Sequence, residues 1–153
     1  MVTLVAVLIF TSASTKTNGG SLEGTTATNF TIGNDDGVVN LTQFRGQYVL
    51  LSLWSSADIV SRLDNIRCDR YAAQSSAIKL MSVNFDRSRA LFDQLVANDS
   101  LNASSHYFCD KQDRSVFEQH WGTTQQLNTY LINPKGVVVA VNPSNQELAA
   151  MVK

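Results

Sequence analysis

The chain has 153 residues, 44% of them apolar, with 12 Lys and Arg against 13 Asp and Glu for a net charge of −1. That length supports a single domain able to bury a sizeable core. The near-balanced, dispersed charge excludes the basic footprint of a nucleic-acid surface and any block of like charges aimed at a polyanion or lipid headgroup. Two isolated histidines, His106 and His120, and two distant cysteines, Cys68 and Cys109, fit no zinc spacing, so neither a metal nor a cofactor is expected.

Taken in order, residues 1–20 stand apart from residues 21–153, which read as the domain proper. Val2–Phe10 (VTLVAVLIF) is apolar, and small residues follow it over Thr11–Ser14. This has the apolar core and cleavage region of an export signal without the positively charged start, and it is too short to span a membrane. An export-signal remnant and a folded strand both remain open for it.

Asn29–Ile32 and Val38–Leu41 read as a hairpin across Asn34-Asp35-Asp36-Gly37. A single helical turn over Thr42–Phe44 follows, closed by Gly46. Tyr48–Trp54 is then a continuous apolar run of strand-forming residues, broken by Ser55 and Ser56. The pattern resumes as a helix over Asp58–Gln74, with Ile59, Leu63 and Ile66 at helical spacing as its apolar face. A buried strand feeding a helix through a tight polar turn is a βα unit, and open α/β sheets place their chemistry at such turns.

Lys79–Phe85 is the next strand, and Asp86 is placed to cap a helix over Arg87–Ala97. His106–Cys109 reads as a short strand. Asp113 is expected to cap a helix bearing Val116, Phe117, His120 and Trp121 and stopped by Gly122. Asn128–Ile132 and Gly136–Val141 form a last hairpin across Asn133-Pro134-Lys135-Gly136. Ser144 and Glu147 make a capping box for a closing helix.

Tyr48–Arg62 (YVLLSLWSSADIVSR) resembles the active-site segment of thioredoxin-like thiol-disulfide oxidoreductases of the extracytoplasmic bacterial branch, related to the alkyl hydroperoxide reductase and thiol-specific antioxidant group. That segment reads roughly N-F-W-A-S-W-C-P-P-C-R. Trp54, Ser56 and Arg62 match it, whereas Asp58 and Ser61 occupy the two cysteine positions. The resemblance extends from Ser21 to the C-terminus, through D-G-K-x-V-x-L-S-D-L-K-G-K (here DDGVVNLTQFRGQ) and T-T-F-L-I-D-K-D-G-K-I (around Asn128–Val141). It implies an α/β thioredoxin-like fold: a central mixed β-sheet flanked by helices, with an N-terminal hairpin and an internal insertion carrying the Arg87–Ala97 helix. It also implies export to the periplasm or cell envelope.

Thiol-disulfide exchange needs an attacking thiolate and a resolving thiol. A carboxylate at position 58 caps backbone N–H groups and complements the helix dipole, but forms no mixed disulfide. It also stands four residues before Arg62, where a same-face ion pair is expected. Ser61 cannot enter redox exchange. The resemblance places Leu127 where relatives carry a cis-proline; a cis bond before a non-proline residue costs about 2.5–4 kcal/mol, so a trans bond is expected.

Cys68, seven residues after Ser61, lies about 10 Å further along the helix. With Cys109 it forms two inert thiols, a structural disulfide or a redox pair, three readings that the spacing leaves open. A hydrolase triad from Asp58, Ser61 and a histidine lacks nucleophile-elbow glycines, and His106 with Cys109 is at most half a metal site. The candidate pocket is Trp54, Ser55, Ser56, Asp58, Ser61, Arg62 and Leu127. The leading expectation is a binding or structural module that has lost dithiol catalysis and engages a protein or peptide. The alternative is a divergent oxidoreductase or peroxidase using Cys68, Cys109 or both.

Overall fold

The computed structural model describes residues 21–153; the export-signal and strand readings of Val2–Phe10 lie outside them. The hairpin forms from β1 (Thr31–Asn34) and β2 (Gly37–Asn40), paired antiparallel as a two-stranded sheet. A 3-10 turn over Leu41–Phe44 follows, with Asn40 and Gln43 making a reciprocal capping box. Strand β3 (Tyr48–Trp54) then leads into α1 (Ile59–Ala73) and β4 (Ile78–Asn84).

Helix α2 (Arg89–Asn98), β5 (His106–Phe108) and α3 (Arg114–His120) come next, followed by β6 (Thr129–Ile132), β7 (Val138–Val141) and α4 (Asn145–Met151). The main sheet has the order β5-β4-β3-β6-β7, parallel among β5, β4 and β3 and antiparallel through β6 and β7. The parallel pairs need crossovers, which α1 and α2 supply; the antiparallel pair closes through a tight turn.

Two caps differ from the sequence expectation. Ser88, not Asp86, caps α2, its hydroxyl accepting from the Leu91 N–H. Asp113 sits at the N-cap of α3 but makes no side-chain cap bond: its backbone is already helical (φ −82°, ψ −17°), whereas a capping residue is extended. The Ser144–Glu147 capping box forms as expected.

Side chains of successive strand residues alternate between the two faces. One face carries Val49, Leu51, Leu53, Met81, Val83 and Tyr107, packed with Phe30, Phe117 and Trp121. The rings of Phe30 and Phe117 lie 4.7 Å apart. The other face carries Leu50 and Leu80 under α1 and α4, and Trp54 against Phe92 of α2.

Helix α1 lies the opposite way round from its apolar spacing. Ile59, Val60 and Leu63 are 58%, 74% and 59% exposed, and Ile66 is half-buried. The buried positions are Ser61, Asn65, Cys68 and Asp69. The sheet supplies the reason. Strand register sets His106 beside Ser82, Ser82 beside Ser52, and Ser52 beside Thr129. One row across four strands is therefore polar, and it is covered by the polar side of the helix.

Hydrogen bonds tie the two layers together. The Trp54 indole N–H donates to Ser82 Oγ at 2.8 Å, and the Ser82 hydroxyl donates to Asn65 Oδ1 at 2.7 Å. Asn65 Nδ2 then lies 3.2 Å from His106 Nε2, and His106 Nδ1 lies 2.8 Å from the Asn102 carbonyl. A carbonyl can only accept, so the proton sits on Nδ1 and Nε2 accepts from Asn65. Nearby, the Thr129 hydroxyl donates to Asp64 Oδ2 at 2.6 Å. Every buried polar group here but Ser52 Oγ finds a partner, as a buried polar layer requires.

Candidate functional site

The turn between β3 and α1 is a closed hydrogen-bonded knot. Asp58 N–H donates to the Ser55 carbonyl at 3.1 Å. The Asp58 carboxylate accepts from the N–H groups of Val60 at 3.1 Å and Ser61 at 3.2 Å, satisfying two of the free donors at the helix start. The Ser61 hydroxyl donates to the Asp58 carbonyl at 3.0 Å and accepts from the Ser55 N–H at 3.3 Å. The side chains of Asp58 and Ser61 are thus both spent on holding the backbone.

A second carboxylate braces the turn from β4. Asp86 accepts from the Ser55 hydroxyl at 2.7 Å, from the Ser56 N–H and hydroxyl each at 2.9 Å, and from Asn84 Nδ2 at 3.0 Å. Burial pushes its pKa up, but these hydrogen bonds outweigh burial and hold it below the ordinary 3.8. Arg114 grips the same corner, its Nη2 donating to the Phe85 and Asp86 carbonyls at 2.9 and 2.7 Å.

Arg62 does not pair with Asp58. Its Nε and Nη2 donate to Asp99 at 3.0 and 2.8 Å in a two-pronged bond to the end of α2. The planar fork of the guanidinium matches this carboxylate, whereas the carboxylate of Asp58 is turned to the helix start.

The two thiols are buried and unbonded. Cys68 packs with Leu50 and Leu80 under α1, and Cys109 packs with Phe117 and Trp121 on the other face, so the sheet stands between them. Burial, reinforced by Asp64, pushes the Cys68 thiol up to about 12 against the opposing charge of Arg67. Burial pushes Cys109 up to about 12 as well, although Arg114 works in the other direction. A thiol held this far above neutral pH supplies almost no thiolate. His106 and Cys109 likewise point to opposite faces, and no group of three metal-binding side chains occurs among the described residues.

No protein-family model matches the chain, and no curated protein matches it. Solved structures do. The thioredoxin domain of a thiol-disulfide oxidoreductase from Bacteroides vulgatus superposes with a TM-score of 0.74 at 19% identity, covering 86% of this chain and 98% of that one. A thiol:disulfide interchange protein from Bacteroides sp. superposes with a TM-score of 0.72 at 20% identity, covering 85% and 87%. A thioredoxin-like protein from Parabacteroides distasonis gives 0.65 at 24% identity, covering 70% and 80%.

The fold is thioredoxin-like.

Within this thioredoxin-like domain the seven candidate residues separate into distinct environments. Trp54 is fully buried core, its ring 6.4 Å from that of Phe92. Ser61 is buried in the knot, and Ser55, Ser56 and Asp58 are half-buried within it. Leu127 follows a trans peptide bond and packs against the Cys109 face of the core. The Leu53 N–H donates to the Asn128 carbonyl at 3.1 Å, which continues the β3–β6 ladder.

None of the seven lines either of two clefts of about 450 and 670 Å³. The first lies between the β1–β2 turn and α2, over Phe92 and Leu101. The second opens at the carboxyl ends of β4 and β5. Asp86 is the residue that sequence reasoning misplaced. Its signal was present in the Asn84-x-Asp86 pair at a strand end, which satisfies itself locally (Asp86 N–H to Asn84 Oδ1, 3.0 Å) and frees the carboxylate for the turn. No helix of the described residues is long and apolar enough to cross a membrane.

Proposed function

We propose that this domain is a thioredoxin-like binding module that does not perform dithiol exchange, and that it engages a protein or peptide through the exposed start of α1. The observation that carries the reading is the knot at Asp58 and Ser61. The positions that hold sulfurs in the C-x-x-C segment hold two oxygen side chains whose hydrogen bonds are all directed into the backbone. The remaining thiols lie on opposite faces of the sheet, each protonated at neutral pH. Beside the knot, Ile59, Val60 and Leu63 form an apolar patch on a helix whose buried side is polar. Such inversion leaves apolar area in water, which a monomer gains nothing by exposing. The location proposed with this function is extracytoplasmic, on the strength of the apolar run Val2–Phe10.

The test has two arms. Insulin-disulfide reduction by the wild type is expected to equal the background rate, while an Asp58→Cys/Ser61→Cys variant gains turnover. Wild-type turnover that survives Cys68→Ser and Cys109→Ser defeats the reasoning from sulfur. In the second arm, binders are selected from a display library of cysteine-free peptides. They are expected to shift the amides of Ile59, Val60 and Leu63 and to lose affinity in Val60→Asp and Leu63→Asp. Binders indifferent to both changes would remove the patch from the account.

A further inference from the structure

The cleft at the ends of β4 and β5 is lined by Asp86, Arg87, Phe108, Asp110, Lys111 and Arg114, with the buried Cys109 beneath. Three cations therefore meet in one concavity of a chain whose net charge is −1. Arg87 and Lys111 are exposed, and among the described residues none of the three cations is ion-paired. The two carboxylates in the lining are already engaged. Asp86 accepts from Ser55, Ser56 and Asn84, and Asp110 accepts from the backbone N–H groups of Gln112 and Asp113.

Arg114 is the fixed member of the three. Its Nη2 is anchored on two backbone carbonyls, which orient the guanidinium without neutralising it. A guanidinium held in this way keeps its charge and has N–H groups unspent, the arrangement that suits a planar or tetrahedral oxyanion. Phe108 adds an aromatic wall, and a volume of about 670 Å³ falls in the range of small-molecule sites.

We propose that this cleft binds a small organic anion, a carboxylate or phosphate group on Arg87, Lys111 and Arg114 with its apolar or aromatic body against Phe108. Neither Arg87 nor Lys111 belongs to the β3–α1 turn or to the α1 patch, and Arg114 meets that corner only through the backbone carbonyls of Phe85 and Asp86. The inference therefore stands or falls separately from the binding-module reading.

Titrations of the isotope-labelled full chain with phenyl phosphate, benzoate and inorganic phosphate at low salt test it, read from the amides of Arg87, Phe108 and Lys111. Phenyl phosphate is expected to bind saturably, about tenfold more tightly than inorganic phosphate because its ring leaves water. Benzoate binding as well assigns the site to any single organic anion; phenyl phosphate alone assigns it to the phosphate dianion. Arg87→Ala/Lys111→Ala is expected to weaken binding about tenfold through the loss of two charge-assisted contacts. Arg70→Ala, an exposed cation on α1, is expected to leave it unchanged. Thermal melts of each variant verify that it folds. No saturable shift at these amides, or equal affinity in the double variant, overturns the site. Equal affinity for inorganic and phenyl phosphate overturns the role given to Phe108.

Discussion

Replacing Asn65 tests whether the polar layer under α1 holds the helix in its inverted orientation. Asn65 is fully buried, with Oδ1 accepting from the Ser82 hydroxyl at 2.7 Å and Nδ2 bonded to His106 Nε2 at 3.2 Å. Asn65→Leu keeps the volume roughly constant but strands the Ser82 proton and the His106 lone pair in a buried layer. Each of the two stranded groups costs about 1–3 kcal/mol, so the loss is about 2–6 kcal/mol. At about 3 °C per kcal/mol for a domain of this size, the melting temperature falls by about 6–18 °C.

Asn65→Ala is expected to lose a similar amount plus a small cavity contribution, so the two variants differ by less than either differs from wild type. In a Ser82→Ala background one of the two stranded groups is already gone, and the cost of Asn65→Leu drops by about 1–3 kcal/mol. Urea unfolding by circular dichroism gives these values, with the m-value expected to stay constant. An Asn65→Leu variant within about 0.5 kcal/mol of wild type, or more stable, would refute the reasoning. It would mean that the helix is placed by its apolar contacts and loops alone.

Three further outcomes follow from the same geometry. Burial, outweighing the Asn102 carbonyl and the nearby Asp69, keeps the His106 pKa below the ordinary 6.5. The unfolded chain therefore takes up a proton that the folded chain refuses, and stability, full above pH 6.5, declines as pH falls beneath it. Asp86, held below 3.8, adds a second loss as pH falls under that value; His106→Gln is expected to flatten the first decline and spare the second in pH-dependent melts. Asp58→Ala removes the cap on Val60 and Ser61 and is expected to cost about 1 kcal/mol, measured by denaturant midpoint. A double-mutant cycle on Arg62→Ala and Asp99→Asn is expected to give a coupling of about 1 kcal/mol, whereas Arg62 with Asp58→Asn gives none beyond error.

The β3–α1 unit, the hairpins and the capping box at Ser144 are written in local signals, and the structure forms them within a few residues of where spacing and turn chemistry put them. Turn residues and caps act over short sequence distances, so one chain suffices to read them. The orientation of α1 was not legible in that way. Ile59, Leu63 and Ile66 are spaced as an apolar face, and only strand register reveals that the sheet beneath the helix offers Ser52, Ser82, His106 and Thr129. Ser61, Asn65 and Cys68 form a competing small-and-polar stripe at helical spacing, which becomes meaningful once that row is known. Arg62 misled for a related reason. Its partner, Asp99, is distant in sequence, while the nearer Asp58 is claimed by the helix start.

The proposed loss of dithiol exchange requires that neither thiol of this domain be available for redox chemistry. The most direct test is mass-resolved alkylation of Cys68 and Cys109 in the native protein, before and after mild peroxide, with a denatured sample as reference. The burial of both thiols and their raised pKa values predict little label on either cysteine in the native state, no gain of oxygen or loss of two hydrogens with peroxide, and full labelling on unfolding. Rapid native labelling of either cysteine, a sulfenic acid, or a reversible disulfide would contradict the claim and restore the oxidoreductase reading.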